Sequence, residues 1–204
     1  MDVAILLFDG FDELDAIGPF EVLENAANAG ADLDVALCTL DATDEVTASH
    51  GLRVGVDATL DDAADDDLDL LLVPGGGWTD PDAPGVRREY DRGAIPDAIA
   101  NAHHDGTALA SVCTGAMLLS KAGVLDGRPA ATHAAAESDL RATTADVRDA
   151  RVVDDGDILT CGGVTSGLDL ATHLVAREFG RDVADQVTTE MEYEPTNDVH
   201  VTAD

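Results

Sequence analysis

Continuous apolar runs alternate with segments of helical spacing along this chain. Val3 to Phe8 is apolar throughout, as a strand buried on both faces requires, and Val35 to Leu40, Leu68 to Val73 and Thr107 to Val112 repeat that pattern. Leu52 to Leu60 contains a third strand in chain order, of more alternating character. Pro19 fits the first turn of a helix that carries Phe20, Leu23 and Ala27 on one face and closes at Gly30. Further helices are predicted over Ala94 to His104 with Gly106 as cap, Ala116 to Ala122, around Ala135 to Arg141, Leu168 to Phe179 and Asp182 to Met191. Asp80 to Pro84 reads as a loop, Ala130 to His133 as a short strand ending in a histidine, and Val152–Val153 with Ile158–Cys161 as a hairpin. Strands alternating with helices, several of them apolar throughout, predict an α/β sandwich around a mainly parallel sheet. At 204 residues, one domain over 1–204 is the expectation.

Charge changes the picture of where such a sandwich works. Asp and Glu number 42 against 11 Lys and Arg, a net charge of −31; 32 of the acids are Asp, and Lys121 is the single lysine. Such a surface repels itself in dilute buffer, whereas molar salt screens it to within about 3 Å. A protein of a high-salt cytosol is the expectation. The acidity is spread along the chain, including the run Asp61 to Asp67, and reads as solvated surface. Nucleic acid is excluded as a partner, because phosphate contacts need clustered Lys and Arg. With no long apolar run and a strand starting at once where a basic leader would stand, a cytoplasmic location away from the membrane is expected. Cys38, Cys113 and Cys161 form no Cys-x-x-Cys pair, which argues against a disulfide framework and a thiolate zinc site.

The candidate chemistry lies where strands end. The run Ala108-Leu-Ala-Ser-Val-Cys-Thr-Gly-Ala-Met-Leu-Leu119 stops being a strand at Cys113, Thr114 and Gly115 and continues with good helix formers. A thiol at that junction meets the N–H groups of a helix start, which favour thiolate over thiol. Val73-Pro-Gly-Gly-Gly-Trp78 follows another buried strand, and its glycines can aim backbone N–H groups into a cavity. It has neither dinucleotide spacing nor a Gly-Lys-Ser/Thr, so no nucleotide site is expected. His103 and His104 diverge on their helix and read as cations at its C-terminus, not as metal ligands. Cys38 and Cys161, in apolar strand sequence, read as core. Asp15, Gly75 to Trp78, Cys113 and His133 each stand just after a strand, and open α/β sheets build sites at that edge.

Leu14-Asp-Ala-Ile-Gly-Pro-Phe-Glu-Val-Leu23, Val73-Pro-Gly-Gly-Gly77, Ser111-Val-Cys-Thr-Gly-Ala116, Ala131-Thr-His133 and Leu159-Thr-Cys-Gly-Gly-Val-Thr-Ser-Gly167 together resemble, in order and spacing, the ThiJ/PfpI superfamily. Within it the chain looks most like the isonitrile hydratase subgroup and the amidotransferase-like half of certain AraC-type regulators, over about residues 3 to 190. The resemblance implies a flavodoxin-like three-layer sandwich, commonly homodimeric, with Cys113 as nucleophile and Asp15 as the acid beside its sulfur. A carboxyl group next to a thiolate has its pKa raised and can hold the proton it later delivers. Hydration of an isonitrile to an N-substituted formamide through a thioimidate would follow, with no metal or organic cofactor. Backbone N–H groups of Gly76, Gly77 and Thr114 are expected to stabilise developing charge, and the Thr114 hydroxyl to steer water or substrate. Ile17, Gly18, Trp78, His133 and Thr165 are expected to line the pocket for a small electrophilic substrate. Two departures stand out. Thr114 occupies the place where protease- and amidotransferase-like relatives often carry a histidine, so a Cys-His-acid triad is not expected, and Ala134 stands where the isonitrile subgroup would carry an aromatic. Glyoxalase or deglycase chemistry on reactive aldehydes, and an oxidation or small-molecule sensor built on Cys113, are the alternative readings.

Overall fold

The computed structural model describes residues 1–64 and 68–202. The chain opens with β1 (Asp2–Leu6), α1 (Glu13–Asn28) and β2 (Asp34–Thr39), then a hairpin of β3 (Glu45–Thr47) and β4 (Arg53–Gly55). β5 (Ala58–Thr59), α2 (Leu60–Ala64), β6 (Leu70–Val73), α3 (Val86–Arg92) and α4 (Ala94–His104) lead to β7 (Ala108–Ser111) and α5 (Gly115–Lys121). β8 (Pro129–Ala130), α6 (Glu137–Arg141), β9 (Asp146–Val147), β10 (Val152–Asp154), β11 (Ile158–Cys161), α7 (Ser166–Phe179), α8 (Arg181–Glu190) and β12 (Val199–Val201) complete it.

Among the described residues, eight strands make one sheet in the order β12-β10-β11-β7-β6-β1-β2-β5. Every pairing in it is parallel except β10 with β11. β6 and β11 are buried along their whole length and β1 after Asp2, because both faces of the sheet are covered there. α1, α7 and α8 pack together on one side, and α3, α4 and α5 form a second group. This is the α/β sandwich that the alternating pattern predicts. Its core joins β1 and β6, fully buried at Ile5, Leu6, Leu70, Leu71 and Leu72, to helix residues such as Leu118 and Leu174.

Several local expectations need correcting. α1 does not begin at Pro19; it begins at Glu13, with Asp12 as N-cap accepting the Leu14 N–H at 3.3 Å, and Pro19 lies inside it. Proline supplies no N–H to the carbonyl four residues back. That carbonyl belongs to Asp15, so α1 goes without one ladder bond there. The Leu52–Leu60 strand is broken into β4 and β5, whose partners differ. His133 lies beyond the two-residue β8 and not at a strand end. β3, α2, α3, β9 and β12 are additional to the predicted elements. Asp61 and Asp62 are exposed on α2, as a solvated surface requires, while Asp65 to Asp67 lie outside the described residues. Cys38 and Cys161 are buried, as core sequence predicts. His103 stands in the last turn of α4 with Nε2 3.6 Å from Asp157, which suits the negative end of that helix. Among the described residues, no helix is long and apolar enough to cross a membrane.

Candidate active site

β7 ends at Ser111, α5 begins at Gly115, and the turn between them is sharp enough to force Cys113 to φ 59°. A left-handed conformation at a residue with a Cβ costs about 1–3 kcal/mol and persists only where the surroundings fix it. Here they do. Cys113 N–H donates to Gly162 O at 2.9 Å, and its carbonyl accepts from the Thr132 hydroxyl at 2.9 Å and from His133 N–H at 3.3 Å. Gly115 completes the elbow, since a Cβ there would lie 2.3 Å from Val73 O. The sequence thus places the thiol at the carboxyl end of the sheet and holds it off the strand line.

Asp15 enters from the first turn of α1 and is 0% exposed. Its Oδ2 accepts the Gly75 N–H at 3.0 Å, while Oδ1 is buried with no hydrogen-bond partner among the described residues. Burial lifts the carboxyl to about 7, and the charge of Asp12 adds to the lift; the Gly75 N–H and the Cys113 thiol work against it. Burial likewise pushes the Cys113 thiol up to about 12, with the Asp15 charge adding to it, against the N–H groups of Val164 and Thr114 that face the sulfur. The thiol is thus shifted opposite to the expectation from a helix start. Cys113 is only 5% exposed, its neighbour is a carboxyl group, and α5 spans a mere 7 residues. With the carboxyl near 7 and the thiol near 12, the first negative charge of the pair rests on Asp15 while the sulfur keeps its proton.

The glycine loop works through closeness. A Cβ at Gly75 would meet Thr114 N at 2.5 Å and Asp15 Oδ2 at 2.9 Å, and one at Gly76 would meet Asp12 N at 2.5 Å. These glycines let the end of β6 touch both the elbow and the start of α1. One expected role changes: Gly76 N–H is not free for an oxyanion, because it donates to Thr114 Oγ1 at 2.9 Å. Thr114 keeps its hydroxyl proton to offer. Gly77, at φ 65°, packs against Pro84 and Gly85, where a Cβ would lie 2.6 Å from Pro84 O. The donor that residue-by-residue reading missed is Val164 N–H, presented by another left-handed residue at φ 35°. A backbone group carries no signature beyond the glycine run before it.

The remaining expected residues divide. His133 Nδ1 accepts the Ala135 N–H at 3.0 Å, which leaves Nε2 to carry the proton, and its ring abuts Gly163; its backbone, through the N–H on Cys113 O, is what serves the elbow. Trp78 is anchored elsewhere, with Nε1 donating to Asp139 Oδ2 at 2.7 Å, Tyr90 edge-on at 5.4 Å and Arg87 over its ring at 5.0 Å. Thr165 is exposed at the N-cap of α7, where its Oγ1 accepts from Arg151 at 2.9 Å. Gly18 serves helix contact: a Cβ would lie 3.2 Å from Leu168 of α7. Ile17 is half-buried on α1. Asp12, Glu13 and His50 bring potential metal-ligand atoms within 4.8 Å of one another. Glu13 and His50 are engaged with each other, His50 N–H donating to Oε1 at 2.7 Å and its Nδ1 standing 2.6 Å from Oε2. Burial alone would raise the Glu13 carboxyl, but the His50 ring and neighbouring N–H groups bring it down to about 2.

A strained cysteine between a strand and a helix, a buried carboxyl beside it and a glycine loop beneath both are the geometry on which known proteins can be compared. The DJ-1/PfpI family model matches residues 1–177. An isonitrile hydratase of Pseudomonas putida is 34% identical over 195 residues, covering 96% of this chain and 79% of that protein. A deglycase of Thermococcus kodakarensis is 33% identical over 156 residues, covering 76% and 86%. A crystal structure of a ThiJ/PfpI family protein from Pseudomonas syringae superposes with a TM-score of 0.82 at 28% identity, over 95% of this chain and 75% of that one. Matched over most of its length in sequence and backbone, the chain belongs to the DJ-1/PfpI family.

Proposed function

We propose that this protein hydrates isonitriles to N-substituted formamides, with Cys113 as nucleophile and Asp15 as the group that takes and returns the proton. The observation that carries the reading is the buried pair itself: a carboxyl lifted to about 7, one oxygen without a partner, beside the one strained cysteine among the described residues. The likeness to an isonitrile hydratase supports it.

The sulfur attacks the terminal carbon of R–N≡C as its proton passes to Asp15, and Asp15 then delivers that proton to the same carbon. The product of this half is the thioimidate R–N=CH–S–Cys113. Val164 and Thr114 N–H groups stabilise the sulfur while it is anionic. Asp15, again a carboxylate, activates water, which adds to the carbon. The C–S bond breaks, the two water protons end on nitrogen and sulfur, and R–NH–CHO leaves. No redox partner is needed. The Thr114 hydroxyl, held by Gly76 and with its proton to give, is positioned to steer the water.

Formamide production from a simple alkyl isonitrile in molar potassium chloride tests this, comparing wild type with Cys113→Ala and Asp15→Ala. Turnover abolished in both supports the assignment. No turnover by folded wild type overturns it and favours deglycase-type chemistry, the activity in the name of the Thermococcus relative. The reading takes the working unit as a homodimer in a high-salt cytosol, checked by sedimentation in molar salt.

A further inference from the structure

Between β11 and α7 the segment Gly162–Thr165 makes a turn that meets Cys113 twice: Gly162 O accepts the Cys113 N–H at 2.9 Å, and Val164 N–H faces the sulfur. Val164 holds φ 35° there. A β-branched residue takes up a left-handed backbone only where its surroundings over-determine it. Whatever fixes this turn therefore also aims the donor at the sulfur.

Arg151, just ahead of β10, holds the turn at both ends. Its carbonyl accepts the Gly162 N–H at 3.0 Å, and its guanidinium donates to Thr165 Oγ1 at 2.9 Å. The guanidinium is itself set by Asp169 of α7, a buried carboxylate that takes the Arg151 Nε–H on one oxygen and the Thr196 N–H, at 2.8 Å, on the other. Behind the turn His133 lies against Gly163, where a Cβ would come within 2.3 Å of the ring. Among the described residues, no hydrogen bond or ion pair joins Arg151 to Cys113 or Asp15. Its reach to the sulfur runs through the turn alone.

We propose that Arg151 is a positioning residue: by gripping Thr165 while paired with Asp169, it aligns Val164 N–H with the Cys113 sulfur as negative charge gathers there. A lysine would keep a cation beside Asp169 but not both contacts, because a single ammonium lacks the planar fork that serves two acceptors at once. The inference rests on the hydration reading for the step that draws on the anionic sulfur, whereas the alignment itself is measurable on the thiol.

The experiment compares wild type with Thr165→Ala, Thr165→Ser, Arg151→Lys and Arg128→Lys in molar potassium chloride, reading formamide production from an alkyl isonitrile and, separately, alkylation of Cys113 by iodoacetamide through mass spectrometry of its peptide. Thr165 is exposed, so its truncation keeps the fold and decides the matter even where Arg151→Lys does not fold. Arg128 pairs with Asp155 at 2.5 Å, beyond the opposite end of β11, and stands for an ion pair remote from the turn. A misplaced group costs up to about a hundredfold in rate, so Thr165→Ala and Arg151→Lys are expected to lower kcat and the alkylation rate by about tenfold or more, with KM within about twofold. Thr165→Ser recovers most of the loss, and Arg128→Lys leaves both rates as in wild type. Rates of Thr165→Ala within about twofold of wild type, Thr165→Ser as slow as Thr165→Ala, or an equal fall in Arg128→Lys overturns the proposal. So does a raised KM with kcat unchanged, which marks Thr165 as a substrate contact. If alkylation follows the expected order while no isonitrile is turned over, the positioning role stands and the hydratase reading fails. If wild type turns over isonitrile and alkylation is indifferent to the variants, the hydratase reading stands and the positioning role fails.

Discussion

Replacing Asp15 with asparagine removes one proton site and keeps its shape. The side chain is fully buried, and its bond from Gly75 N–H at 3.0 Å can be accepted by an amide oxygen. Burial lifts the carboxyl from an ordinary 3.8 to about 7, so the folded protein holds this proton more tightly than the unfolded chain does. A folded pKa above the unfolded one means stability that is whole below about pH 4 and is lost as pH rises through about 7. About three pKa units at about 1.4 kcal/mol each make about 4 kcal/mol in full, of which about 2.5 kcal/mol is lost between pH 5 and pH 8. Asp15→Asn does not titrate. Its stability relative to wild type therefore rises by about 2.5 kcal/mol over that interval. Urea unfolding of both proteins in molar potassium chloride at each pH measures the difference, in which titration of the other acids cancels. Parallel stability curves would refute the reasoning, for Asp15 would then ionise alike in both states.

Other consequences follow from the same geometry. With the Asp15 carboxylate accepting the thiol proton, kcat/KM rises with pH through about 7 and then stays level, since the thiol itself titrates only near about 12; a rate falling across that range would contradict the role. Gly115→Ala places a Cβ 2.3 Å from Val73 O and costs about 3 kcal/mol by overpacking, read as a lowered urea midpoint. Thr114→Val strips Gly76 N–H of its acceptor at a cost of about 1–3 kcal/mol, whereas Thr114→Ser retains stability. At a net charge of −31, the melting temperature rises steeply from dilute buffer to molar salt, and full stability without salt would refute a halophilic origin.

The sheet and the elbow were legible because burial on both faces writes itself as continuous apolar sequence. β6 and β7 lie inside such runs, β1 and β2 start one residue ahead of theirs at Asp2 and Asp34, and the abrupt stop at Cys113 marks the elbow. Asp15 is placed at the sheet edge by its position after β1, but its role as the acid comes from the family resemblance, since a lone acid has no periodicity to reveal it. The start of α1 was misread because Gly18 and Pro19 look like a helix beginning, while the true cap, Asp12, sits in an acidic turn that resembles a loop. α3 was overlooked as a short, charged segment, and β12 as three residues that become a strand only by pairing with β10. Trp78 and Thr165 are expected in the pocket by the resemblance alone. What anchors them, Asp139 and Arg151, is distant or carries no local pattern that announces the pairing. Leu14 and Leu52 meet because His50 and Ser49 tie the β3–β4 turn to Glu13 and Phe11, contacts between residues far apart in sequence.

The central claim is that sulfur of Cys113 bonds to the isonitrile carbon. Rapid quenching during turnover, followed by mass spectrometry of the digested protein, tests it directly. A thioimidate adds the whole mass of the isonitrile to the peptide bearing Cys113, and that adduct should decay at the rate at which formamide appears. Formamide released at full rate by Cys113→Ala, with Cys113 of the wild type unmodified throughout, would contradict the account.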